Sequence, residues 1–225
     1  MNGVPHNFFR FATQLFAILL GVLSIWFLLP ELSRPGIEGL PTDPVSAAAA
    51  AKGRSMASFA ASIAIIRGDL WAESAFTYSD LLWGFASPGT DLAKAMQGPQ
   101  TSLENALKLA PHQSGAWLLL AALASRYPSR GFNATEALRM SYYTGPSERD
   151  FMPLRLRLMV HSDAFDDVEL QQFATRDLRA LIARKQTSAI AEAYSDAPPA
   201  GKRFIEQTVA DIDPSVANLL RSGAQ

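Results

Sequence analysis

An all-α domain carried behind a single N-terminal membrane-crossing helix is the fold class this sequence predicts. Three observations predict it. A long uncharged apolar run lies close to the start of the chain, strand-like alternation is scarce beyond residue 45, and apolar side chains there recur at steps of three and four between short turns marked by Gly and Pro.

The chain has 225 residues, room for one anchor and one domain of ordinary size. Apolar residues make up 48% and charged residues 18%, enough to bury a core beyond the anchor and too much charge for several spans. Lys and Arg together number 20 against 21 Asp and Glu. Nucleic acid is therefore not an expected partner, because phosphate binding requires a concentrated positive field. The absence of cysteine excludes disulfides, thiolate metal ligands and cysteine nucleophiles.

Residues 1–10 read as a short cytoplasmic N-terminus and 11–29 as the transmembrane helix. Phe11 to Leu29 carries no charge, and its 19 residues span about 28 Å, close to the ~30 Å hydrocarbon core of a bilayer. A cleavable signal peptide is the competing reading, but its apolar core is about 7 to 15 residues with small residues close behind. Here the run is longer and ends in Pro30-Glu31-Leu32, far ahead of the alanine run at Ala47 to Ala51, so the anchor is read as retained. Arg10 on one flank, against Glu31, Arg34 and Glu38 on the other, favours the N-terminus inside, with the domain periplasmic or extracellular at an inner (plasma) membrane. Thr13, Ala17 and Gly21 at four-residue spacing are weighed as an anchor-pairing face, against the general abundance of small residues in membrane helices.

Residues 30–44 read as a linker, since Pro35, Gly36, Gly39, Pro41 and Pro44 prevent a regular element. The α-helical domain then fills 45–225. Its first helix is expected over 46–67, ended by Gly68, and a second is capped by Asp69, with Trp71, Ala75, Tyr78, Leu82 and Phe85 along one stripe. After a break over 84–89 and a short segment at 91–97 that is cut by Gly98 and Pro99, Thr101 and Glu104 have capping-box spacing for a helix to Leu109. Ser114 to Tyr127 is apolar nearly all round and is expected at the centre of the core. Asn133 caps a helix to Tyr143, Gly145-Pro146 breaks it, and Ser147 caps another to His161. Helices over 166–184, 187–194, 200–212 and 214–221 complete the series.

Ala106, Pro111, Trp117 and Leu120 stand in the order and spacing of one tetratricopeptide repeat's end and the next one's beginning. Over about 68–161 the chain resembles that repeat class, although Asn133 stands where a small residue belongs and the Gly145-Pro146 break comes one residue late. The resemblance implies a TPR-like stack of antiparallel helices with a groove for a peptide or protein.

No phosphate loop, dinucleotide fingerprint, metalloprotease helix or nucleophile elbow occurs, so no catalytic, cofactor or metal residues are assigned. His161, Asp163, Asp166, Asp167 and Glu169 are weighed as a cation site, but acids at a helix start serve equally to cap it. Tyr142, Tyr143, Arg149, Arg155 and Arg157, with Arg139 nearby, form the candidate interaction surface, able to hold an acidic peptide or an anionic glycan by forked contacts. The alternative for these arginines is pairing with Glu148 and Asp150. The function expected from this pattern is a non-catalytic, membrane-anchored helical-repeat scaffold that binds a protein partner at the cell envelope. An accessory protein of envelope polysaccharide synthesis or export is the alternative.

Overall fold

The computed structural model of the chain describes residues 6–37, 39–83, 92–127 and 132–222. Among them the regular structure is entirely helical. The helices are α1 His6–Leu32, α2 Pro44–Lys52, α3 Arg54–Ile63, α4 Gly68–Phe76, α5 Leu92–Leu109, α6 Ser114–Arg126, α7 Ala134–Thr144, α8 Met152–His161, α9 Val168–Ala183, α10 Thr187–Asp196, α11 Pro199–Ile212 and α12 Pro214–Ser222. Short 3-10 turns lie at Ser79–Leu82, Arg149–Phe151 and Asp163–Asp166.

α1 is longer than the uncharged run that predicts it. Its 27 residues rise about 40 Å, and mean hydropathy reaches 2.2 in an 18-residue window within Phe8–Leu32, so it is long and apolar enough to cross a membrane. Pro30 lies in the last turn of α1, so the one bond it removes, to the Trp26 carbonyl, leaves the rest of the helical ladder intact. Nearly every described side chain before Trp26 is exposed, and contact with the domain begins there.

The predicted linker is not a free tether. Leu40 and Pro41 are buried, Arg34 is bonded to Glu73 of α4, and Pro35 packs against Gly53, where an added Cβ would stand 2.8 Å from the Pro35 Cβ. That close approach also explains why the single helix expected over 46–67 is two: the chain bends at Gly53 and turns again after Ile63. Asp43 caps α2, accepting from the backbone N–H groups of Val45 and Ser46.

Other boundaries differ for identifiable reasons. Asp69 lies in the first turn of α4 instead of capping it, its carboxylate held by Arg67. α4 is buried on all sides from Ala72 to Phe76 and ends there, so Tyr78 and Leu82 do not continue its stripe, and Phe85 lies outside the described residues. Thr101 and Glu104 do not form a capping box, because α5 continues through Gly98 and Pro99. Thr101 Oγ1 donates to the Gln97 carbonyl and Glu104 accepts from Gln100. The segments expected over 84–89 and at Asp91 lie outside the described residues. Ser147 does not cap α8, which is entered through the Arg149–Phe151 turn with Pro153 in its first turn. Asp167, one residue beyond the expected start, caps α9. Asn133 caps α7 as expected, accepting from Thr135 N and Glu136 N.

α6 forms the centre of the core, with Leu118 to Ala124 buried without interruption. From α2 onward helices adjacent in sequence pack together, α6 most extensively on α7 and α4 on α5, while α1 packs on α3. The even-numbered helices also form a row, α4 touching α6, α6 touching α8, α8 touching α10 and α10 touching α12. At the α5–α6 turn the Trp117 indole donates to the Pro111 carbonyl at 2.8 Å, and Ala106 and Leu120 are buried in the two helices that flank it.

Candidate functional site

The arginine and tyrosine group of α7 and α8 does not share one surface. Arg155 and Arg157 are two residues apart on α8, about 200° around the helix, so they face opposite ways. Arg155 is fully buried and Tyr142 is 1% exposed; both are corrected from surface to core. The Arg155 guanidinium donates to the Ser141 hydroxyl and carbonyl and, at 2.9 Å, to the Gly145 carbonyl, tying α8 to the end of α7. Its Cζ stands 4.7 Å from the Tyr142 ring centroid, and Tyr142 stacks on Phe173 at 5.0 Å.

Asp177 of α9 completes this interior network. Its carboxylate lies beside the Tyr142 hydroxyl and near Arg155, and neither its oxygens nor that hydroxyl has a hydrogen-bond partner. Burial pushes the Asp177 carboxyl up to about 6, against the pull of Arg155 and Arg176. Burial also raises the Tyr142 hydroxyl well above its ordinary value and lowers Arg155. The buried Arg155 guanidinium, bonded to Ser141 and Gly145 and set against the Tyr142 and Phe151 rings, ties α8 to α7 and is inaccessible to a ligand.

Tyr143 and Arg149 stay on the surface. The Tyr143 hydroxyl donates to Glu169 at 2.7 Å, which raises its pKa. Arg139 binds Glu136 and Asp167, both of which raise its pKa, and the backbone N–H of Leu170 together with Arg139 hold the Asp167 carboxyl below its usual range. Asp167 and Glu169 are thus engaged in capping and pairing. His161 has both ring nitrogens on backbone carbonyls, those of Arg157 at 2.8 Å and Asp196 at 2.7 Å. Among the described residues no group of three or more His, Cys, Asp or Glu could hold a metal ion; the Asp163 side chain lies outside them.

Arg157 faces a cleft of about 160 Å³ between the Ser79–Leu82 turn, α6 and α8. Leu82, Ala122, Leu154 and Leu158 make its apolar lining, and Trp83, Ser125, Arg126, Arg157 and His161 supply the polar part. The Arg157 guanidinium lies 5.7 Å from the Trp83 ring centroid and donates to Asp196 at 2.8 Å, while Arg126 donates to the Leu82 carbonyl at 2.9 Å. A smaller hollow of about 40 Å³ shares Trp83, Leu154 and Arg157 with it and reaches Thr42 and Glu192. An apolar floor rimmed by guanidinium forks suits a carboxylate flanked by apolar side chains. Of the candidate interaction residues only Arg157 belongs here, beside His161 from the group weighed as a cation site. Trp83, Arg126 and Leu154 carried no local signal, because the cleft is assembled from segments far apart in the chain. Comparison of the chain with protein-family models, curated proteins and solved structures gives no match.

Proposed function

We propose that this protein is a non-catalytic, membrane-anchored scaffold whose helical-repeat domain recruits a protein partner at the cell envelope. The observation that carries this reading is the joining of a long, exposed apolar helix to a folded domain through fixed contacts: the Trp26 indole to the Ile63 carbonyl at 3.1 Å, Arg34 to Glu73 and Arg67 to Glu31. In this reading α1 spans the inner membrane with its N-terminus in the cytoplasm, an orientation supported by Arg10. The row of even-numbered helices supports a TPR-like stack, in which each helix pair buries its core on the next. The Trp83–Arg157 cleft takes an acidic, apolar segment of the partner.

A photoreactive residue at Ser125 in the full-length protein, activated in native membranes, tests this. One discrete protein adduct, lost with Arg157→Glu and kept with Lys185→Glu, is the expected result. Capture that is indifferent to Arg157→Glu, or no greater than from a probe at Lys185, overturns it.

The polysaccharide-accessory alternative is favoured by a different feature, an open groove of about 350 Å³ between α9 and α11. There Arg176 and Arg179 flank Gln171, Gln172 and Phe204, donors around an aromatic ring that suit an anionic glycan. Salt-sensitive retention of an anionic polysaccharide, abolished by Arg179→Ala, is its test.

A further inference from the structure

We infer that the outer face of α3 and the turn after it is a membrane-interface surface that lies in the headgroup region of the bilayer beside α1. The inference rests on α1 crossing that bilayer. It starts from the composition of α3. Ala57, Ala60, Ala61 and Ala64 are buried, whereas Met56, Phe59 and Ile63 follow at steps of three and four along the adjoining outward face, and Ile65 and Ile66 lie in the turn just beyond. Phe59 is 51% and Ile66 64% exposed, with Ile65 equally open beside it. Nine large apolar side chains beyond α1 are exposed among the described residues, and four of them fall between Met56 and Ile66. The other five are scattered singly. A contiguous apolar stripe on an otherwise ordinary surface calls for a covering phase.

The contacts with α1 identify that phase. Trp26 donates to the Ile63 carbonyl, and Trp26 lies three residues before Leu29, where the uncharged run ends. At 1.5 Å per residue, the C-terminal end of α3 is therefore about 4.5 Å inside the apolar part of α1 and not beyond it. Trp26, Phe27 and Pro30 line one small hollow of about 10 Å³ with Ala64, Ile66 and Arg67. One level higher the contacts change character: Glu31 accepts from Arg67, and Glu73 from Arg34. The apolar-to-charged transition thus occurs at the same height on α1 and on the domain. A bilayer that covers α1 up to Leu29 also meets Ile65, Ile66 and the lower end of the α3 stripe, in the manner of an interfacial amphipathic helix.

The chain has no cysteine, so single cysteines report without background. Leu20→Cys, Phe59→Cys, Ile66→Cys and Val168→Cys, each on an exposed side chain, are labelled with an environment-sensitive fluorophore in the full-length protein and reconstituted in phosphatidylcholine vesicles. The expected result is blue-shifted emission with loss of intensity from shallow spin-labelled lipid at positions 59 and 66, from deep spin-labelled lipid at position 20, and from aqueous iodide alone at position 168. If position 20 is deep while 59 and 66 respond to iodide only, the inference fails and the spanning anchor stands. If position 20 itself responds to iodide, the anchor reading fails and takes the inference with it. Protection of 59 and 66 from both quenchers means that protein, a second copy or a partner, covers the stripe, and this also overturns the inference.

Discussion

Replacing Asp177 by Asn changes the pH dependence of stability in a direction fixed by the interior network. Asp177 faces Tyr142 of α7 and Arg155 of α8, with Arg176 on its own helix, and burial is the largest influence on it. In the folded chain its carboxyl titrates at about 6, against an ordinary 3.8. At about 1.4 kcal/mol per tenfold change in the proton equilibrium, that gap amounts to about 3 kcal/mol. Between the two values the folded chain holds a proton that the unfolded chain has released. Stability therefore falls as pH rises through this window: the protonated carboxyl carries no penalty below about pH 4, and the full penalty is present above about pH 6. Asn cannot ionise, so the stability of Asp177→Asn relative to the parent protein should grow by about 3 kcal/mol from about pH 4 to about pH 7. Urea unfolding of the full-length protein in detergent, followed by tryptophan fluorescence at several pH values, reads this difference. Asp69 and Asp167, whose pKa values are lowered, act in the opposite sense, but they are present in both proteins and cancel in the comparison. A difference that stays flat, or shrinks as pH rises, refutes the reasoning; shrinkage means that attraction to Arg155 outweighs desolvation.

Arg155→Ala removes the guanidinium bonds to the Ser141 and Gly145 carbonyls, which keep only the backbone N–H groups of Gly145 and Glu148, and opens a cavity in the core, so it should cost about 3–5 kcal/mol, read as a lower urea midpoint at unchanged slope. Gly68→Ala places a Cβ 2.6 Å from the Ala110 Cβ and 2.8 Å from its backbone nitrogen; since a backbone atom cannot step aside, the cost should be about 1–3 kcal/mol, visible as a lower Tm. Asn133→Ala removes the acceptor for two orphan N–H groups of α7 and should cost about 1 kcal/mol, with faster amide exchange at Thr135 and Glu136.

How much of this was legible in the sequence depends on whether the deciding interaction was local. The uncharged run, the all-round apolar α6 and the Asn133 cap are decided within a few residues, and they lie where the pattern puts them. Pro99 misleads because it is read as a terminator, whereas α5 passes through it: Gly98 sits against Tyr78, so packing from another element holds the helix together. Gly53 misleads in the other direction, since its bend answers to Pro35, which lies outside its helix. The candidate surface was limited by helix geometry that the sequence did contain. Arg155 and Arg157 at a spacing of two cannot share a face, and Arg155 within MPLRLRLMV, flanked by Leu154 and Leu156, lies on the side that becomes buried. Nothing local indicates that an arginine at that position finds carbonyl acceptors at the end of α7. The cleft joins residues 82–83, 122–126 and 154–161, a combination that only the tertiary fold brings together.

The segment after α1 is where the fold bears most directly on the proposed function. A free Pro/Gly tether would let the domain sample many heights and orientations above a bilayer, and a partner would meet the cleft at random angles. Here Leu40 is part of the core, Arg34 is bonded to the buried Glu73, and Thr42 lines the smaller hollow beside Trp83 and Arg157. α2, which follows at once, packs on the Ser79–Leu82 turn that leads into Trp83. The chain leaving α1 thus reaches the wall of the candidate binding site within a dozen residues, held by contacts along the way. Charge pairs at partly exposed sites contribute little by themselves, but Arg34 with Glu73 works alongside the Trp26 bond and the packing of Pro35 on Gly53, and together these fix the orientation. An interior of about ordinary density transmits such restraints instead of absorbing them. With α1 in a membrane, the cleft is consequently presented at one set height and angle, which is the property a recruiting scaffold needs and a freely tethered domain lacks.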